Sequence, residues 1–153
     1  MDDRSPGETF ELACERVSDA NSHMLDGDWS VWKELLTARD DVTLLGAYGA
    51  YVRGWADVSA RFKRTAGGYA GGGGKSTSDN IARWAGADLG CTVDLERHFT
   101  RLDGKAEPVV FTYRVTHLLR READGWKVVL RHADPLDTFR GPEFAHAGAV
   151  AER

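Results

Sequence analysis

Apolar residues recur at helical spacing over residues 8–26. Phe10, Cys14, Val17, Met24 and Leu25 form one stripe, with Leu12, Ala13 and Ala20 beside it and charges elsewhere. Ser5-Pro6-Gly7-Glu8 suits a helix entry and Gly27 a stop. Asp28 can cap a second helix over Trp29–Ala38, with Trp29, Trp32, Leu35 and Leu36 facing inward. The β-branched, apolar run Val42–Leu45 predicts a strand, Ala47-Tyr48-Gly49 a turn, and Ala50–Val52 a short return strand ended by Gly54. A third helix is expected over Trp55–Thr65, with Val58 and Phe62 on its inner side.

The second half reads as strands. Thr77–Ala85 is a polar candidate carrying Ile81 and Trp84. Leu89–Arg101 alternates strictly: Cys91, Val93, Leu95 and Phe99 on one face, and Thr92, Asp94, Glu96, His98 and Thr100 on the other. The polar face is expected to be the solvated one. Leu102–Lys105 is a turn, Val109–Arg121 a long strand, Ala123-Asp124-Gly125 a hairpin signal, and Trp126–Asp134 a closing strand stopped by Pro135. Residues 136–153 carry little pattern and read as a tail, and no internal repeat is present.

Between the halves, Ala66–Lys75 holds six glycines in ten residues. Gly74-Lys75-Ser76 ends it as a phosphate loop would end. However, Tyr69 occupies the required glycine position, and the helix precedes the segment where a strand should. A mobile connector is expected instead.

Three helices with a small hairpin among them, followed by four long antiparallel strands, make an α+β chain. Long twisted strands curl around the helices and leave a half-open cone suited to a small-molecule cavity. At 153 residues the chain is one domain, with its core over about 8–135. Its 20 basic against 24 acidic residues, net charge −4, give no nucleic-acid footprint. No apolar run nears the roughly 20 residues of a membrane span. The polar start Met1-Asp2-Asp3-Arg4 lacks an apolar segment behind it, so the cytoplasm is the expected compartment. Cys14 and Cys91 have neither disulfide-framework nor metal spacing.

Several short segments, in this order and spacing, carry a family resemblance. They are Leu25-Asp26-Gly27-Asp28-Trp29, Asp40-Asp41-Val42-Thr43-Leu44-Leu45-Gly46, Val52-Arg53-Gly54-Trp55-Ala56-Asp57-Val58, Arg114-Val115-Thr116, Asp124-Gly125-Trp126-Lys127-Val128-Val129 and Arg131-His132-Ala133-Asp134. Together they resemble the nuclear-transport-factor-2-like superfamily, and within it the SnoaL-like and ketosteroid-isomerase-like proteins. The resemblance implies a cone-shaped, cystatin-like α+β barrel and, by default, a homodimer. It implies no single activity, because the superfamily holds isomerases, cyclases, hydrolases, transport receptors and association domains.

Isomerases of this kind need a carboxylate base and two oxyanion donors. The matching positions fall near Ala20, Gly46, and Thr116 or His117, so that proton shuttle is not expected here.

His132 and Asp134 are two apart on the closing strand and share a face. If Trp126, Val128 and Leu130 point into the cone, both do too, and they are the candidate catalytic pair. A two-residue hairpin sets Val115 opposite His132 and Tyr113 opposite Asp134, while a one-residue slip brings in Arg114 and Thr112. The other reading makes His132 a strand-end residue and Asp134 a turn cap. Candidate ligand contacts are Tyr113, Arg114, His117, Trp32, Tyr51 and Phe62, with Arg114 as the buried cation for an acidic ligand. Glu96 and His98 have no third ligand at metal spacing, so neither a metal nor another cofactor is expected. Cys14 reads as buried filler.

The expected partner is a small, largely apolar or polyketide- or steroid-like molecule, acted on by an isomerase, cyclase or hydrolase. The alternative is a non-catalytic association module of the same fold. In either case the outer sheet face, including Val129 and Leu118, would form the homodimer.

Overall fold

The computed structural model describes residues 7–69 and 73–137. The centre of the glycine-rich connector, the entry segment before Gly7 and most of the expected tail lie outside the described residues.

The elements are α1 (Phe10–Leu25), α2 (Ser30–Leu35), β1 (Thr43–Leu45), β2 (Tyr51–Arg53), α3 (Trp55–Gly67), β3 (Lys75–Ala85), β4 (Leu89–Thr100), β5 (Val109–Glu122) and β6 (Gly125–Pro135). Thr9 starts α1 by accepting from the Leu12 N–H at 3.2 Å. The Asp28 carboxylate accepts from the Ser30 N–H at 2.8 Å at the start of α2. The second helix is shorter than expected because Leu36 turns extended and bridges in parallel to Val128 of β6. Gly54, at φ +88°, lets the β2 strand turn directly into α3.

All the strands share one sheet in the order β2-β1-β6-β5-β4-β3. The short β1–β2 hairpin extends it, with β1 parallel to β6. The sheet curves around the helices but does not close, so β2 and β3 are free edges. Phe10 and Val17 of α1, Trp32 of α2 and Phe62 of α3 pack with Leu119, Trp126 and Val128 of the sheet. Phe10 lies edge-on to Trp126, centroids 5.2 Å apart. It also lies so close to Gly90 that a Cβ there would fall 2.3 Å from the ring, so only glycine admits α1 at this distance from β4. At the other end Arg120 of β5 donates to Asp41 at 2.6 Å and Glu122 at 2.8 Å, clasping the α2–β1 connection to the sheet.

Two features of the sheet reverse expectations. First, β4 is inside out. Thr92, Asp94, Glu96, His98 and Thr100 are buried on the concave face, while Cys91, Val93, Leu95 and Phe99 face outward. The polar residues tolerate this because partners meet them there. Thr92 donates to Asp94 at 2.7 Å, Asn80 of β3 donates to Asp94 at 2.9 Å, and Glu96 is ion-paired.

Second, β6 carries a bulge. The two-residue-turn register holds from Glu122↔Gly125 to Leu119↔Val128, then resumes at Leu118↔Leu130 with Val129 unpaired. One extra residue reverses every side chain beyond it. Arg131 and Ala133 therefore enter the concave face, and His132 and Asp134 leave it. His132 sits opposite Thr116 and Asp134 opposite Arg114.

Candidate functional site

The concave face carries a buried cluster of charge. Arg131 grips Glu96 with two nitrogens, Nη1–Oε1 at 2.9 Å and Nη2–Oε2 at 2.7 Å. The guanidinium reaches across β5 to do so and lies 5.6 Å from the Trp32 ring centroid. Its Nη1 also donates to His117 Nε2 at 2.8 Å. An arginine has only donors, so His117 accepts there and its proton sits on Nδ1. Burial, joined by the charge of Arg131, drives the His117 pKa down to about 3, and the ring stays neutral. Burial alone would raise the Glu96 pKa. The Arg131 charge, with hydrogen bonds from His98 and Arg131, outweighs it and holds the carboxyl well below its usual range.

His98 Nε2 lies 3.1 Å from Glu96 Oε2. A carboxylate only accepts, so this nitrogen carries the hydrogen. The other ring nitrogen, Nδ1, is buried without a partner, as is Asn21 Nδ2, whose Oδ1 accepts from Trp32 Nε1 at 3.2 Å. His98 and Asn21 line one cavity of about 80 Å³. Trp32, Met24, Phe62 and Leu44 form its apolar wall, and Arg131, Tyr113, Tyr48 and Tyr69 its polar one.

The three tyrosines form a hydrogen-bonded chain. Tyr113 donates to Tyr48 at 3.2 Å, and Tyr48 lies 2.8 Å from the Tyr69 hydroxyl. Burial first, then the neighbouring Tyr48, raises the pKa of both Tyr69 and Tyr113, so both remain hydroxyls. If Tyr48 gives its one hydrogen to Tyr69, the Tyr69 hydrogen is left for a further acceptor.

Three of the residues expected from sequence, Trp32, Phe62 and Tyr113, line this cavity together. His117 lies fully buried beside Arg131 and Trp32 and does not line it. Tyr51 is 70% exposed on β2. His132 and Asp134 stand on the outer face, 3.7 Å apart, with Asp134 accepting from Arg114 at 3.3 Å. The Val129 bulge puts His132 and Asp134 there, the alternation of β5 puts Arg114 there, and the buried arginine is Arg131 rather than Arg114. The sequence pattern does not mark Glu96, His98, Asn21, Tyr48 or Tyr69 as ligand contacts. The usual rule puts the first two on a solvated face, although their alternation with an apolar face fits either orientation. No third acidic, cysteine or histidine residue joins Glu96 and His98 among the described residues. Burial pushes the half-buried Cys14 thiol up to about 11, away from nucleophilic use.

The buried pair makes a stability prediction. Removing one partner strands the other, so Glu96→Leu or Arg131→Met alone should each cost about 3–5 kcal/mol in urea unfolding. The double variant should recover most of that loss. Single losses below about 1 kcal/mol would show that the pair is not dry in solution.

A second prediction concerns acid. Unfolded His117 takes up a proton below about pH 6.5, whereas the folded ring stays neutral down to about 3. Folding stability should therefore fall as the pH drops through that window, by about 1 kcal/mol per unit from this residue. Glu96 adds to the loss as the pH falls through the ordinary carboxylate range and below it, where the unfolded carboxyl takes up a proton and the folded one does not. Unfolding free energies measured from pH 7 to 5 should show a shallower slope in His117→Gln, and an unchanged slope would refute the assignment.

No protein-family model matches the chain, and no curated protein matches it in sequence. Solved structures do match in shape. A candidate calcium/calmodulin-dependent protein kinase type II association domain from Thiobacillus denitrificans superposes with a TM-score of 0.67 at 26% identity, covering 86% of this chain and 98% of its own. A candidate dehydratase of the NTF2-like family from Streptomyces avermitilis gives 0.68 at 17% identity, covering 84% and 94%. An NTF2-like superfamily protein from Salmonella enterica gives 0.71 at 14% identity, covering 88% and 99%. Together with the helices cupped in an open, curved sheet, these likenesses show that the chain has the nuclear-transport-factor-2-like fold.

Proposed function

We propose that the protein binds a small carbonyl compound in the cavity between α1, α3 and the sheet, and moves a proton on it with His98. One observation carries this reading: His98 lines the cavity with one nitrogen held by an ionised, buried carboxylate and the other without a partner. With its hydrogen on Nε2, the ring has a lone pair on Nδ1. That nitrogen takes a proton from the carbon next to the carbonyl, the C–H electron pair becomes a carbon–carbon double bond, and the carbonyl π pair moves onto the oxygen. Glu96 then faces an imidazolium, whose charge it stabilises. Asn21 and a tyrosine hydroxyl are the donors available to the oxygen. Return of the proton to another carbon is an isomerisation. Delivery of it to a departing β-hydroxyl, which leaves as water, is a dehydration.

The Streptomyces avermitilis candidate dehydratase has the same fold, which is compatible with either outcome. The cavity's size argues against a steroid- or polyketide-sized guest. At about 80 Å³ it is smaller than the roughly 150 Å³ that holds a benzene ring.

Native mass spectrometry of the purified protein, followed by saturation-transfer NMR with small ketones and hydroxyketones, tests the reading. Binding should weaken about tenfold in both Asn21→Leu and His98→Phe. Unchanged binding in both variants would remove the cavity from the function.

A second reading, self-association, rests on the outer face. Trp84 is 63% exposed and Val110 59%, and Phe99 and Ile81 are exposed as well. We infer a homodimer covering this face, a reading to which the fold's association domains lend support. Sedimentation should show a dimer that Trp84→Glu with Val110→Lys converts to monomer. A wild-type monomer at tens of micromolar would exclude it.

A further inference from the structure

Outside the Tyr48–Tyr69 hydrogen bond lies a second, larger compartment of about 540 Å³. Tyr48, Arg61, Thr65 and Tyr69 line both it and the inner cavity, so the two are contiguous. Arg61 and Arg64 are three residues apart on α3 and both border the outer compartment. Among the described residues no carboxylate lines it, and neither guanidinium has an ion pair. The inner cluster differs in charge. Arg131 is matched there by Glu96, and a second carboxylate would meet that buried anion.

We propose that the outer compartment is a subsite for the anionic end of the ligand, bound by Arg61 and Arg64. The substrate class is then a short ketone or hydroxyketone ending in a carboxylate or phosphate. Its neutral carbonyl end occupies the inner cavity and its charged end remains on α3. This rests on the reading of the inner cavity as the site of the carbonyl group. Two guanidiniums one helical turn apart suit the forked hydrogen bonding of either anion. Their solvent exposure makes the contribution dependent on salt.

Three probes separate the two readings: 4-oxopentanoate, its methyl ester, and inorganic phosphate. In wild type the acid should bind about tenfold more tightly than the ester at low ionic strength, by NMR titration. The preference should shrink to about twofold in Arg61→Gln/Arg64→Gln. His98→Phe should weaken acid and ester alike and preserve their ratio. Equal affinities in wild type, or a preference that survives the double arginine variant, would overturn the outer subsite while leaving the inner one standing. If neither organic probe binds, the inner reading fails and phosphate decides the outer one. Phosphate-induced shifts of the arginine Nε–H resonances that vanish in the double variant support the subsite, and their absence in wild type overturns it.

Discussion

A carboxylate and a guanidinium facing each other in a dry interior constrain the rest of this molecule. Taking either ion out of water costs several kcal/mol, and the attraction repays it only when the geometry is close and the remaining donors are used. Glu96 and Arg131 meet those conditions through two short contacts, with His117 taking a further Arg131 hydrogen and His98 completing the carboxylate. A pair of well-packed apolar side chains would serve stability as well or better. The fold therefore does not need this pair for its own sake. It holds an imidazole in one tautomer beside a cavity, with a fixed negative charge behind it.

The same constraint explains what could be read in the sequence. The order of helices and strands, the hairpin at Asp124-Gly125 and the cone were legible, because apolar spacing and glycine placement depend on local geometry. The facing of β4 was not. Strict alternation of Leu95, Arg97 and Phe99 with Glu96 and His98 identifies two faces but not which is inside. The usual rule gives the apolar face to the core, and here a cation arriving from β6 makes the polar face the buried one. The Val129 bulge was equally hidden. Val128-Val129-Leu130 is apolar throughout, so nothing in its pattern marks where the alternation changes phase. That single residue exchanged Arg131 for His132 and moved the expected catalytic pair to the outer face. Trp32 and Phe62 line the cavity because helical spacing places them on the inner stripes of α2 and α3, whereas for β5 the sequence leaves Tyr113 and Arg114 as alternatives and the structure turns Tyr113 inward.

Size and charge then divide the concave side into two regions of different character. The inner one is small and apolar on one wall, and its buried Arg131 is matched by Glu96. The outer one is wider and cationic along α3. Their border is a pair of tyrosines. One stands on the β1–β2 turn, where Gly49 and Ala50 adopt positive φ, and the other follows the C-terminus of α3. A guest passing between the regions meets the Tyr69 hydroxyl, which burial keeps protonated and which can donate to it or accept from it without adding charge.

The inverted strand has a consequence for the opposite side of the sheet. Because successive residues point to opposite faces, burying Glu96 and His98 obliges Leu95 and Phe99 to face outward. The outer apolar surface and the inner polar cluster are thus two sides of one choice, made on β4 and extended by Trp84 on β3 and Val110 on β5. Covering the outer surface with a second copy would remove that apolar area from water. It would also restrain the strands that hold His98 against Glu96. In that arrangement association and the proposed chemistry would share their backbone, and a change that loosened the outer face would be felt at the cavity through the alternation of a single strand.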